Sequence, residues 1–208
     1  IVCRSNAALL AHIFSSYFKE VILNVGTMIQ SKKESEIRKQ FFAYRNGMLA
    51  DALRGAGNCH TVIFGLTLQQ VIELANAVGK DAQLANDLWN DIKCREARLI
   101  APLLMPADAM GIDVAKAWCD TIEDCEVCDV LCHRLLRNLP FAFDLVLHYA
   151  HSAVPLQRYL AMRLLINLVT IGKPLDIDLV AAMAAEALSD ADVMVRQVSK
   201  MIVDNLAD

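Results

Sequence analysis

Thr67-Leu68-Gln69-Gln70-Val71-Ile72-Glu73-Leu74-Ala75-Asn76-Ala77-Val78-Gly79-Lys80-Asp81-Ala82-Gln83-Leu84-Ala85 is the stretch on which the fold reading turns. Thr67 followed three residues later by Gln70 is a capping box, in which each side chain satisfies a backbone N–H that the first turn of a helix leaves open. The helix so opened runs to about Val78 and stops at Gly79, a residue type suited to helix ends. Asp81 then caps a second helix over about 82–91. A capped helix, a short break and another capped helix make a pair of amphipathic elements, and neither buries its apolar face alone.

The same signals recur outward from this pair. A helix from about Cys94 to Leu104 ends before Pro106. Asp113 caps one that carries Trp118, and Asp124 caps one that reaches Leu139 and ends at Pro140. Helices follow over about 141–151, 155–171 (stopped by Gly172 and Pro174), 176–188 and 191–206. The pairs begin near residues 81, 112, 140 and 175, a spacing close to thirty residues without a strictly repeated motif. This predicts an all-α fold, a HEAT-like helical-repeat solenoid (α-α superhelix), in preference to a globin-like or bundle arrangement. Residues 28–60 differ in character. Lys32-Lys33-Glu34-Ser35-Glu36-Ile37-Arg38-Lys39 is a charged helix start, Arg54-Gly55-Ala56-Gly57 a turn, and Phe64-Gly65 the approach to the Thr67 cap. No linker is long enough to divide the chain, so 1–208 reads as a single repeat domain with less regular N-terminal helices in 1–60.

Composition narrows the class. Of 208 residues 56% are hydrophobic and 21% charged, with 8 Gly and 5 Pro, which supplies a sizeable core and excludes a disordered chain. The longest apolar stretch, Leu139 to Leu156, is broken by Asp144, His148 and His151, so no membrane span is expected. Ile1 to Asn24 holds an apolar helix-like segment with Lys19 and Glu20 but no basic start or small-residue cleavage site; it reads as a packed helix, not a signal peptide. Seven irregularly spaced cysteines point to free thiols in a reducing compartment, hence a cytoplasmic location. The net charge of −4 divides into +4 over residues 1–60 and −8 over 61–208, which argues against a broad basic face for nucleic acid.

Asp124-Cys125-Glu126-Val127-Cys128-Asp129-Val130-Leu131-Cys132-His133 is the densest cluster of chemistry-bearing residues. With Cys119 it offers metal ligands, yet a structural zinc site draws ligands from two separate elements. Cys125, Cys128 and Cys132 share one helix at i, i+3 and i+7, the spacing of a buried stripe. No metal and no cofactor is therefore expected. Asp129 has Cys125, Cys132 and His133 as helical neighbours. It reads either as half of an ion pair between repeats, with Arg158 or Arg163 as partner, or as a catalytic carboxylate in a cleft. Arg158 opens a helix, where backbone N–H groups and a guanidinium together suit a phosphate; Arg163 lies between apolar neighbours and snorkels. Trp89 and Trp118 fall in core patterns. The chain has no Gly-rich phosphate loop, no G-x-S-x-G and no H-E-x-x-H.

Ile37-Arg38-Lys39-Gln40, Gly57, Phe64-Gly65-Leu66-Thr67-Leu68, Leu74-Ala75, Arg95-Glu96-Ala97-Arg98-Leu99-Ile100-Ala101, the Trp118 and Asp124–Asp129 segment, and Leu156-Gln157-Arg158 together resemble the AlkD-like DNA alkylation repair family in order and spacing. The resemblance covers most of residues 35–206. It implies a HEAT-like solenoid that binds double-stranded DNA and excises cationic alkylpurines such as 3-methyladenine and 7-methylguanine. It places the catalytic carboxylate at Asp129 and DNA contacts at Arg158, Arg163, Arg196 and Lys200. The two lesion-pocket positions at which the family has tryptophan are Cys125 and Met201 here, which removes stacking of roughly 1–3 kcal/mol each. The alternative is a catalytically silent HEAT-repeat protein that binds DNA or a protein partner.

Overall fold

Thr67 and Gln70 form the capping box their spacing predicts: the Thr67 hydroxyl accepts the Gln70 N–H at 3.3 Å, and Gln70 Oε1 accepts the Thr67 N–H at 2.9 Å. The structure, a computed structural model, describes residue 26 and residues 28–207. The helix expected within Ile1–Asn24 lies outside the described residues. The chain divides into two compact units, Ile1–Ala43 and Tyr44–Asp208. In the first, residues 28–43 are helical (α1). The charged run Lys32–Lys39, expected to open a helix, instead lies inside one already under way. Arg38–Glu34 at 2.8 Å and Lys39–Glu36 at 3.3 Å are neighbours on its surface, while Ile37 and Phe41, one turn apart, are buried.

The second unit holds α2 (Gly47–Gly55), α3 (Leu68–Val78), α4 (Ala82–Trp89), α5 (Arg95–Leu104), α6 (Ile112–Asp120), α7 (Cys125–Arg134), α8 (Ala142–Tyr149), α9 (Pro155–Thr170), α10 (Ile177–Ala187) and α11 (Val193–Ala207). The helices that open the pairs start at residues 82, 112, 142 and 177, within two residues of the expected positions. No strand occurs among the described residues, only an isolated bridge between Val62 and Cys94. Helices α3, α5, α7, α9 and α11 form a row in which each packs on the next. Helices α4, α8 and α10 back the row, against α5, α9 and α11. Leu84, Leu88, Leu99, Ile100, Leu131, Leu160 and Leu164 fill the space between the layers with no exposed surface. Each such side chain contributes about 1.5–3 kcal/mol.

Two boundaries differ from expectation. Gly111, not Asp113, is the N-cap of α6, and Asp113 sits inside the first turn; there its charge complements the helix dipole without capping a donor. Helix α7 ends at Arg134 and does not reach Leu139; a 3₁₀ turn over Leu136–Asn138 follows. Pro140 forces Leu139 into extended backbone (ψ 145°), so the chain leaves the α-helix early and tightens, which buries Leu135 and Leu136.

One buried carboxylate ties the row to its preceding loop. Glu96 is fully buried and accepts the backbone N–H groups of Phe64 (3.0 Å), Gly65 (3.0 Å) and Leu66 (3.3 Å) and Arg95 Nη1 (2.9 Å). Arg95 in turn donates from Nε to Glu126 Oε2 at 2.7 Å, from Nη2 to Glu126 Oε1, and from Nη1 to the Leu66 carbonyl at 3.0 Å. The loop can pass this close only because residue 65 is glycine: it takes φ +79°, and a Cβ there would stand 2.2 Å from Asn46 O. Trp89 and Trp118 belong to the core, as their pattern indicates. Their rings stack at 4.3 Å with 4° between planes, and the Arg98 guanidinium lies 3.7 Å from the Trp89 centroid.

Candidate functional site

Helix α7 begins where Asp124 caps it, Oδ1 accepting the Val127 N–H at 2.9 Å. With that phase set, Val127, Cys128, Val130, Leu131 and Cys132 are buried, while Cys125, Asp129 and His133 follow one another up a more open stripe. Cys128 and Cys132 thus lie in the core as the stripe predicts, whereas Cys125, one of its expected members, is only half-buried. Cys132 Sγ donates to the Leu160 carbonyl at 3.8 Å, and Cys119 and Cys128 are buried thiols whose ionisation is pushed well up by burial.

Asp129 is engaged but open. Tyr159 Oη donates to its Oδ1 at 2.7 Å, and Arg163 reaches Oδ1 from Nε at 2.8 Å and Oδ2 from Nη2 at 3.1 Å. Of the two arginines the sequence offers, it is Arg163 that pairs with Asp129. The side chain keeps 35% exposure. It lines a cleft of about 320 Å³ together with Leu68, Val130, His133, Arg134, Arg163 and Asn167. Burial pushes the Tyr159 hydroxyl up, and its hydrogen bond to Asp129 adds to the shift, so Tyr159 stays a donor. Burial opposes the charge on Arg163 but Asp129 outweighs it, and its pKa is raised.

The cleft is cationic. His133 is held neutral by desolvation and then by the charges of Arg137, Arg134 and Arg163, which lower its pKa. Its Nδ1 lies 3.1 Å from Arg137 Nη1 and 3.4 Å from Asn167 Oδ1. Asn167 Nδ2 is buried with no hydrogen-bond partner, a donor beside the cleft that the protein leaves unused. Sequence reasoning missed Arg134, Arg137, Tyr159 and Asn167. Their signal is helical: Tyr159, Arg163 and Asn167 share one face of α9 at intervals of four residues.

The other sequence candidates sit elsewhere. Arg158 forks onto Asp190, from Nε at 2.6 Å and Nη2 at 2.9 Å, and its Nη1 donates to the Ser152 carbonyl at 2.8 Å. It lines a separate cavity of about 420 Å³ with Met162, Met183 and Glu186. Arg196 donates to the carbonyls of Asp190 (2.6 Å) and Ala191 (2.9 Å). Lys200 and Met201 are exposed on α11. The hydrogen bond from Arg158, helped by the Asp192 N–H and the charges of Arg158 and Arg196, holds the Asp190 carboxyl below its ordinary 3.8. A depressed carboxyl adds stability that is present above the unfolded value and lost as pH falls through the folded one. Stability is therefore expected to fall more steeply below pH ~4, and Asp190→Asn to flatten that limb in an acid titration followed by circular dichroism. An unchanged limb would count against this pair.

Residues 29–198 match the profile of a family described as DNA alkylation repair enzyme. A solved structure described as "A new family of proteins related to the HEAT-like repeat DNA glycosylases with affinity for branched DNA structures" is similar over 83% of this chain and 75% of that one, with a TM-score of 0.72 and 15% sequence identity. At that identity the likeness speaks for the fold, which is thus HEAT-like. Comparison with curated proteins gives no match.

Proposed function

The chain belongs to the DNA alkylation repair enzyme family, and from that premise we propose that it excises cationic alkylpurines from double-stranded DNA at the Asp129 cleft. The observation that carries this reading is the half-open carboxylate at a cationic cleft. Tyr159 and Arg163 fix its position from one side, and about a third of its side chain is left to solvent. Purines alkylated at N3 or N7 carry positive charge, so they leave without general-acid help. As the glycosidic bond breaks, its electron pair neutralises the departing base and positive charge develops on the sugar. A fixed carboxylate stabilises that charge and orients the water that adds to the anomeric carbon. The exposed Arg134 at the cleft supplies donors for a flanking phosphate.

A second reading, binding of branched or distorted DNA without base release, is favoured by Cys125 and Met201, which offer no aromatic face to a flipped base. The similar solved protein is described as having affinity for branched DNA. One pair of assays separates the two: release of 7-methylguanine from alkylated duplex, and gel retardation of a four-way junction against linear duplex. Release by the wild-type chain supports the first. Junction binding with no release leaves the second. In either case Arg134→Ala is expected to reduce the salt slope of DNA binding by about 1, and an unchanged slope would remove Arg134 from the interface.

A further inference from the structure

Cys59, His60 and Asp124 place three ligand atoms around one point. His60 Nδ1 lies 3.3 Å from Asp124 Oδ2, Cys59 Sγ lies 3.5 Å from the same oxygen, and Sγ and Nδ1 are 3.7 Å apart. Around a tetrahedral zinc ion, bond lengths of about 2.0–2.1 Å to nitrogen and oxygen and about 2.3 Å to sulfur give edges of about 3.3–3.4 Å (N–O) and about 3.5–3.6 Å (S–O and S–N alike). The three observed separations match those edges to within about 0.2 Å. We propose that Cys59, His60 and Asp124 form a binding site for a zinc-class divalent cation.

The ligands come from two separate elements, which the cysteine stripe of α7 could not offer. Cys59 and His60 lie in the loop between α2 and α3, and Asp124 is the N-cap of α7. Each is already aimed. The His60 ring is 1% exposed; Asn58 Oδ1 accepts the His60 backbone N–H at 3.1 Å and lies 3.0 Å from Nδ1, a hydrogen bond that Nδ1 gives up when its lone pair takes the metal. Asp124 spends Oδ1 on the Val127 N–H, which leaves Oδ2 for the metal. Cys59 is exposed, so an ion has a path in. One sulfur, one nitrogen and one oxygen favour zinc or cobalt over calcium or magnesium, which take oxygen ligands. Asn58 Oδ1 or a water completes the tetrahedron. Binding exchanges the Cys59 thiol proton for the metal, with the proton released to solvent and the His60 proton carried on Nε2. The ion would tether the α2–α3 loop to the start of the helix that carries Asp129. This proposal is independent of base excision, and either can fail alone.

The test is a cobalt titration of the full chain after treatment with a chelator. The expected result is one equivalent of cobalt, with tetrahedral ligand-field bands and a sulfur-to-cobalt charge-transfer band. Cys59→Ala is expected to abolish the sulfur band. Asp124→Asn retains a good N-cap, so the fold is kept, and it is expected to weaken metal affinity by at least tenfold (~10–100-fold). Cys125→Ala, one residue beyond the site, is expected to keep the band. Zinc is also expected to raise the thermal midpoint of the wild type but not of Cys59→Ala. Absence of stoichiometric uptake by the wild type, or a sulfur band that survives Cys59→Ala, would overturn the proposal.

Discussion

Glu96→Ala is expected to leave most of the chain unfolded at room temperature. The carboxylate is fully buried and is the acceptor for three consecutive backbone N–H groups, those of Phe64, Gly65 and Leu66, and for Arg95. Alanine removes every one of these acceptors at once. The site is closed to solvent in the native fold, with Glu96 and Leu66 fully buried. An orphaned buried donor costs about 1–3 kcal/mol, and stripping one partner from a buried ion pair costs about 3–5 kcal/mol. Arg95 keeps Glu126, which trims the second figure. Even so the sum approaches or exceeds a total stability of about 5–15 kcal/mol. Glu96→Gln should be milder, since one oxygen still accepts, but its amide turns a donor toward donors. Urea unfolding followed by circular dichroism measures both. A loss below about 1 kcal/mol for the alanine variant would mean that the loop finds other acceptors and that Glu96 does not hold it.

The parts of this fold that a sequence discloses are the local ones. Thr67 with Gln70, Asp81 and Asp124 each satisfy donors within three residues of themselves, so their roles follow from spacing alone. The thirty-residue pairing is legible for the same reason. Asp113 misleads because it stands two residues past the true cap, Gly111, and an acid suits both the cap and the first turn. The loop-to-helix clamp made by Glu96 is invisible because its donors lie about thirty residues away and carry no side-chain signature. The division of labour between Arg158 and Arg163 is a matter of phase. Five residues on a helix turn through about 500°, which puts the two side chains roughly 140° apart around α9. Only one can face α7. Which one depends on how α9 is rotated against its neighbours, and in the event Arg163 meets Asp129 and Arg158 meets Asp190. Similarly, Asp124 lies 64 residues from His60 in the sequence, and only stacking of the row brings the two within 3.3 Å.

Asp129→Asn is expected to lower release of 7-methylguanine by roughly 10²–10³-fold while leaving the protein folded and DNA binding intact. Asparagine has the same shape, and its carbonyl oxygen can still accept from Tyr159 or Arg163. The ion pair it loses is about one-third exposed, so solvent screening keeps the cost small, about 1 kcal/mol or less. That corresponds to a drop of roughly 2–4 °C in the thermal midpoint for a chain of this size. What asparagine cannot supply is the negative charge that the developing sugar cation requires. DNA affinity should move the other way, or not at all, because the substitution removes a negative group from a face that meets phosphates. The combination of slower release with unchanged or tighter binding marks a group that acts in the transition state. A residue that only braces the α7–α9 contact would instead lose stability, binding and release together. Equal release by wild type and Asp129→Asn would sink the assignment of this carboxylate to the chemistry. Absence of release from both, with junction binding retained, would leave the cleft as a DNA-binding surface in which Arg163 and Asp129 hold two repeats in register.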